Sequence, residues 1–405
     1  MMDISYPLIL DGATGTELIK KGYTGDISSE QWTLEHPEAI QSIQRSYLQA
    51  GSQVLYTPTF GANRVKMEAY GKGSSVYEYN RQLAALSIEV ADGNALVAGD
   101  IAPSGLNTPP SGDTGFQELC DVYLEQASAL NDAGVDLFVI ETMSSVADAR
   151  AAMLAVRSVS DKPVIVSFTC DKNGRTFTGA DVAAACITMQ GMGASIFGLN
   201  CSYGPEDMIP QLRRVADYCT LPLLAKPNAG MPQIIDGKSV YDLPAHDFAD
   251  YIPEMAEIGV MVYGGCCGTD HSHIKALTEA LKKISLHPAK GPSDDVILLS
   301  TERHAFSLEK GIKPSTFIPC DEDIEDNADE LEDEQIIGIE LDSSSDIDEL
   351  AEAQWSFSKP VCFKADDPVI LEEALKVFQG RAAYCGSLSK DSIKDLVTRY
   401  GLVIL

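Results

Sequence analysis

The chain has 405 residues, 45% of them hydrophobic, and carries 60 acidic against 30 basic side chains, a net charge of −30. That length exceeds one ordinary domain and suits one large barrel with an appendage. The charge excludes nucleic acid as a partner, because phosphate binding needs clustered Lys and Arg, and without a run of eighteen apolar residues nothing spans a membrane.

In chain order, the N-terminus Met1-Met2-Asp3 lacks a basic segment and an apolar core, which argues against secretion and for a reducing cytoplasm. The ten cysteines, without regular spacing, are then expected as free thiols or metal ligands rather than disulfides. Short apolar runs follow at Leu8 to Leu10, Val54 to Tyr56, Leu96 to Ile101, Leu137 to Ile140, Val164 to Phe168, Ile196 to Leu199, Leu223 to Ala225 and Val260 to Tyr263. Between them lie segments of helical periodicity, among them Glu38 to Ala50, Phe116 to Ala133, Val146 to Val159, Glu206 to Tyr218 and His271 to Ile284. Alternating strands and helices imply a parallel sheet, and eight repeats predict an α/β fold closed as a (β/α)8 TIM barrel over residues 1 to 285.

Such a barrel carries its chemistry where strands end. The residues after each run are Asp11, Thr57 to Thr59, Asp100, Glu141, Thr169, Asn200 with Cys201, Asn228, and Cys266 with Cys267. For Thr57, Thr59, Asp100 and Thr169, capping of the next helix is an equal reading. The thiols fit that reading badly. Adjacent side chains on a strand point to opposite faces, so Cys266 and Cys267 can face one point only where the chain turns, and Gly264, Gly265 and Gly268 permit the turn. With Cys201 they offer three thiolates, a set that fits zinc with one position left open for a thiol whose pKa the ion lowers. Packing or a redox pair are the competing readings of the adjacent cysteines.

Asp11-Gly12-Ala13-Thr14-Gly15-Thr16 offers small residues and backbone N–H groups suited to a carboxylate, or simply a tight strand-to-helix connection. Asp11 and Glu141 would attract an ammonium group, and a mouth with both features could hold a zwitterionic amino acid.

These residues carry a resemblance. Asp11 to Thr16, Thr57-Pro58-Thr59-Phe60-Gly61-Ala62-Asn63, Gly198-Leu199-Asn200-Cys201, Lys226-Pro227-Asn228-Ala229-Gly230 and Gly264-Gly265-Cys266-Cys267-Gly268-Thr269 resemble the homocysteine S-methyltransferase family. Within it, the chain is closest in character to the homocysteine-binding module of cobalamin-dependent methionine synthase. The resemblance implies zinc on Cys201, Cys266 and Cys267, which are also the catalytic residues. It implies that homocysteine is held by Asp11, Gly12, Ala13, Thr14, Thr59 and Glu141, with Asn200 beside the metal. Asn228 is expected to shape its loop, since carboxamides are poor zinc ligands beside thiolates. His271 and His273, at the start of the last helix, are expected to face solvent.

Residues 286 to 294 read as a linker. Apolar runs resume at Val296 to Leu299, Ile336 to Leu341, Val361 to Phe363 and Leu402 to Leu405, with helices at Pro368 to Phe378 and Lys390 to Tyr400, a small α/β appendage over 295 to 405. Its acidic segment, 321 to 334, reads as solvated and flexible. Lys359 to Leu405 resembles part of the pterin-binding barrel that follows the homocysteine module in methionine synthase. It departs from that pattern with Lys364-Ala365 and Cys385 where polar or acidic positions are implied, which speaks against folate. Without an Asp-x-His-x-x-Gly motif, a corrinoid is expected on a separate protein. The expected reaction is methyl transfer from that methyl-corrinoid protein to homocysteine, giving methionine. A small donor such as S-methylmethionine or a betaine, another thiol or a selenol as acceptor, and a non-catalytic zinc scaffold are the alternatives.

Overall fold

Leu8, Val54, Val139, Ile165, Leu224 and Val262 belong to one buried apolar cluster, drawn from strands whose alternate residues face a common interior. A computed structural model describes residues 4–109, 112–235, 238–331 and 333–405, without the side chains of Ile235 and Lys238. Met1 to Asp3, read above for targeting, and Glu332 of the acidic segment lie outside the described residues. The barrel strands are β1 (Leu8–Ile9), β2 (Val54–Tyr56), β3 (Leu96–Ile101), β4 (Leu137–Met143), β5 (Val164–Phe168), β6 (Ile196–Asn200), β7 (Leu223–Lys226) and β8 (Val260–Tyr263). All pair in parallel, in the order β1-β8-β7-β6-β5-β4-β3-β2. Gln53 bridges the seam between β1 and β2, donating from its backbone to Ile9 O at 2.7 Å and accepting the Ile9 N–H on its side chain at 2.8 Å. The (β/α)8 barrel predicted from the eight repeats is the fold.

Helices lie outside the strands and bury their apolar faces against them. The helix Phe116–Ala133 presents Leu119, Tyr123, Ala127 and Leu130 at helical spacing to the core. The helix ends have local causes. Asp181 accepts from the N–H groups of Ala183 and Ala184 at the start of Val182–Gly191. Gly51 and Gly134 end their helices with left-handed φ of 112° and 90°. β4, β6 and β7 run past the apolar residues that signalled them, to Met143, Asn200 and Lys226, because the ladder continues onto polar residues at the mouth.

The C-terminal unit is a five-stranded parallel sheet of Phe317–Pro319, Ile337–Leu341, Val361–Ala365, Ala383–Tyr384 and Val403–Ile404, with an antiparallel hairpin of Val296–Ser300 and Ala305–Glu309. Helices Ser345–Ala353, Pro368–Val377 and Lys394–Tyr400 bury Leu350, Leu371 and Leu396 in a shared core with the sheet. The acidic segment departs from its reading as flexible. It holds the helix Ile324–Asp329, whose Ile324 and Ala328 are buried in that core. Two apolar residues four apart give the acidic stretch one face to bury.

The two units are locked together. Arg150, 1% exposed on the helix Val146–Val159, donates to the carbonyls of Leu375 and Lys376 and to Gln379 Oε1, and so caps the end of Pro368–Val377 with a cation. A Cβ on Gly401, itself at φ +71°, would lie 2.5 Å from the carbonyl carbon of Gly191. The linker is held as well, since a Cβ on Gly259 would lie 2.2 Å from Ala289 N.

Glu302, in the turn of the hairpin, is 8% exposed, and its backbone carbonyl accepts the Asp181 N–H at 2.9 Å. Burial raises its pKa from 4.5 to about 7, against the pull of Arg303. The folded state therefore holds this proton more tightly than the unfolded chain does, so the associated penalty is absent below pH 4.5, grows as pH rises toward 7 and is complete above it. Glu302→Gln should stabilise the protein by on the order of 2 kcal/mol at pH 8 and by almost nothing at pH 4.5. Urea unfolding at the two pH values measures the difference, and equal effects at both would rule this account out.

Candidate metal and thiol site

The inward alternation continues one layer above the apolar cluster. With Ala98, Val139, Ile196 and Leu224 inside the barrel, period two puts Asp100, Glu141, Asn200 and Lys226 inside as well. A cavity of about 230 Å³ opens there, lined by Ala13, Thr14, Tyr56, Asp100, Glu141, Lys226, Cys201, Cys266 and Cys267, among others.

The three sulfur atoms lie within 4.8 Å of one another. Their loops are tied together by one segment. Cys201 N–H donates to Lys226 O at 3.1 Å, Cys266 N–H to Pro227 O at 2.8 Å, and Ala229 N–H to Cys267 O at 2.9 Å. Cys201 and Ser202 hold φ of +62° and +60°, and Thr142 holds +59°, a region that costs non-glycine residues energy and needs surrounding support. Asn200 supplies some of it. Its Oδ1 accepts from Ser167 Oγ at 2.8 Å and Thr142 N–H at 2.9 Å, while its Nδ2 donates to Thr142 Oγ1 at 2.7 Å and reaches Cys266 Sγ at 3.9 Å. Gly268 is required where it stands, because a Cβ there would lie 2.3 Å from Tyr241 Cβ.

The thiols behave as one acid–base unit. Hydrogen bonds from Cys201, then Cys266 and the Tyr241 hydroxyl, hold the Cys267 thiol down to about 3, and Cys201 keeps its proton far above the ordinary thiol range for the same reason. Soft, anion-forming donors gathered this closely beside a cavity fit a zinc ion with one place open.

Next to the sulfurs stands a buried charge cluster. Lys226 Nζ is 3.9 Å from Asp11 Oδ1 and 3.7 Å from Glu141 Oε2, and 4.5 Å from the centre of the Tyr56 ring. Burial raises Asp11 to about 6 and Glu141 to about 7, with Lys226 opposing both, and lifts Asp100 well above its usual value. Burial works against the Lys226 ammonium, yet Glu141 and Asp11 outweigh it and keep the pKa raised.

Of the residues singled out in the sequence, Ala13, Thr14, Glu141 and the three cysteines line the cavity. Asp11 stands behind it and accepts the Tyr56 N–H at 2.8 Å. Gly12 leaves room for Tyr47, whose ring a Cβ would meet at 2.7 Å. Thr57 and Thr59 do not cap a helix. They bond each other at 2.7 Å and hold the backbone of Asp100, while Asn63 caps the following helix. Thr169 bonds Ser202. Asn228 is buried, its N–H on Tyr203 O and its Oδ1 without a hydrogen-bond partner. His271 is exposed, but His273 is not. It closes a capping box with Asp270, and its Nε2 lies 3.0 Å from Leu243 O, because Leu243 and Phe248 pack over the helix start. Two residues escaped the sequence reading. Lys226 was legible from period two on β7, whereas no pattern pointed to Tyr241, which reaches Cys267 from just beyond the antiparallel strands Gln233–Ile235 and Lys238–Val240.

Comparison with known proteins places these motifs in context. The sequence model of the homocysteine S-methyltransferase family matches residues 8–281. The chain is 26% identical to a methionine synthase of Mycobacterium tuberculosis over 93% of its own length and 35% of the relative's, and 28% identical to a methionine synthase of Mycobacterium leprae over 68% of its length and 24% of the relative's. It thus spans about a third or less of these relatives. The fold is similar to that of the metallated form of the homocysteine methyltransferase MmuM from Escherichia coli, with TM-score 0.59 and 24% identity over 67% of this chain and 95% of that one.

Proposed function

From the premise that the chain belongs to the homocysteine S-methyltransferase family, we propose that it moves a methyl group from a methyl-corrinoid protein to the thiol of homocysteine, giving methionine, with zinc held by Cys201, Cys266 and Cys267. The observation that carries this reading is the gathering of three sulfurs from two distant loops within 4.8 Å of one another, against a cavity of amino-acid size. Residues 1–285 form the catalytic unit on this reading, 286–294 the linker, and 295–405 an accessory unit. All ten cysteines are free thiols. Among the described residues no helix is long and apolar enough to cross a membrane.

A zinc ion in this set would supply the positive charge that keeps the substrate's sulfur a thiolate at neutral pH. The chain's own residues do the rest. Asn200 and Tyr241 orient Cys266 and Cys267 by hydrogen bonds to sulfur. Asp100 and Glu141, which line the cavity with Asp11 behind them, face the ammonium of an amino acid whose thiol points to the cysteines. Thr57 and Thr59 hold the Asp100 backbone in place. Tyr56, Pro58 and Phe60 give the same cavity an apolar wall.

Purified chain supplied with zinc, homocysteine and a methylated corrinoid protein should form methionine at the expense of the methyl-cobalamin. Parallel assays with S-methylmethionine or a betaine in place of the corrinoid protein separate the donors. Absence of methionine with every donor, together with zinc X-ray absorption unchanged by homocysteine, would reject the assignment.

A further inference from the structure

Resting on the thiol methyltransferase reading above, we propose that Thr169 is a positioning residue for the sulfur of Cys201, acting through Ser202, and that the C-terminal unit braces the loop of residues 169–181 that Thr169 begins. Cys201 and Ser202 are consecutive non-glycine residues at φ of +62° and +60°, where an L side chain crowds its own backbone. Such a pair persists only where its surroundings over-determine it. Asn200 fixes the strand side of the turn through Ser167 and Thr142. On the other side the Ser202 hydroxyl is bonded to that of Thr169. The Thr169 N–H in turn donates to Met143 O at 2.9 Å, so Thr169 is itself held by β4. Turning Ser202 back to an ordinary φ breaks its bond to Thr169 and swings the Cys201 side chain away from Cys266 and Cys267.

The loop that starts at Thr169 is wedged between the two units. Toward the barrel, Gln211 Nε2 donates to Lys172 O at 2.7 Å, Arg214 Nη1 donates to Asn173 O at 3.0 Å, and Lys172 Nζ lies 3.0 Å from Asp207 Oδ1. These three partners belong to the helix Pro205–Ala216, which begins just after the Cys201 turn. Toward the C-terminal unit, Arg175 Nη1 donates to Arg303 O at 2.7 Å and the Asp181 N–H donates to Glu302 O at 2.9 Å. From the helix that the loop leads into, Thr188 shares a hydrogen bond of 2.9 Å with Ser300. The hairpin turn of the C-terminal unit thus closes the outer side of a loop whose inner end holds the thiol turn. Residues 295–405 thereby stiffen the sulfur socket from a distance.

Competition against a chromophoric chelator reads zinc affinity without turnover. Thr169→Val removes the hydroxyl and should weaken zinc about tenfold, the worth of one hydrogen bond, whereas Thr169→Ser should restore it. Arg175→Met should act in the same direction by about threefold. Ser202→Ala, which breaks the same bond from its other end and keeps the unfavourable φ, should match Thr169→Val and decides the matter if that variant does not fold. Glycine meets a positive φ at no steric cost, so Ser202→Gly should weaken zinc far less, and adding Thr169→Val to it should cost nothing more. A merely structural Thr169 would lower the melting temperature in both backgrounds and leave zinc affinity unmoved. Wild-type affinity in Thr169→Val and Ser202→Ala, or equal losses with and without Ser202→Gly, would overturn the proposal, and wild-type affinity in Arg175→Met would remove the C-terminal unit from it. A wild type that takes up no zinc sinks the methyltransferase reading itself, an outcome distinct from zinc held equally by every variant.

Discussion

Replacing Cys266 with serine should leave the barrel folded and abolish both zinc retention and methyl transfer. Cys266 takes part in the hydrogen bonding of both other sulfurs and faces Asn200 Nδ2 at 3.9 Å, so its loss removes a ligand and loosens the geometry of the other two. Structural zinc sites bind with an apparent 10–16 kcal/mol spread over four ligands, or about 2.5–4 kcal/mol for each thiolate, which corresponds to a loss of on the order of 10²–10³ in affinity. A serine hydroxyl, hard and un-ionised at neutral pH, recovers little of that. Zinc content after dialysis against a competing chelator, read beside circular dichroism, measures the effect. Cys120→Ser, on a helix remote from the cavity, is the control and should keep full occupancy. Stoichiometric zinc in the Cys266 variant would show that the sulfurs do not hold the ion together.

Arg150→Met should cause the largest loss of stability outside the site. The guanidinium is buried, with a pKa lowered by burial to about 10, so it remains charged at physiological pH. It satisfies the carbonyls of Leu375 and Lys376 and the side chain of Gln379, and it packs 5.1 Å from the centre of the Phe116 ring. Methionine fills much of the volume but leaves those acceptors buried and unpaired at the end of a helix, a loss of about 3–5 kcal/mol by analogy with broken buried pairs. Because the contact crosses from the barrel to the C-terminal unit, the wild type should unfold in one transition and the variant in two, with the C-terminal unit melting first. Differential scanning calorimetry separates one transition from two, and an unchanged single transition would contradict the claim that this residue joins the units.

The barrel was legible in the sequence because its strands are buried on both sides. Val54–Tyr56, Leu96–Ile101, Val164–Phe168 and Val260–Tyr263 coincide with apolar runs, and Phe116–Ala133 and Val146–Val159 coincide with uninterrupted helical periodicity. The thiol trio was legible for a different reason, since thiols at strand ends have no structural role there to mask them. The charge cluster was only half legible. Asp11 and Glu141 stood out, but Lys226 belonged to a motif and its position between them depends on β7 and β4 facing one interior, a relation that no single segment encodes. The C-terminal unit hid most. Ala305–Glu309 alternates weakly and is half exposed, and the helices Ile324–Asp329 and Ser345–Ala353 expose so many carboxylates that only Ile324, Ala328, Ile347, Leu350 and Ala353 record their buried faces.

The strap formed by Lys226, Pro227 and Ala229, which fastens both cysteine loops through backbone hydrogen bonds, has a consequence for how the socket is filled and emptied. A zinc finger collapses when stripped because its ion is its scaffold; here the scaffold is peptide, so demetallation should be a local and reversible event. After chelation the protein should keep its circular dichroism spectrum, melt lower only by the linkage of the lost ion, and regain its activity on simple addition of the ion.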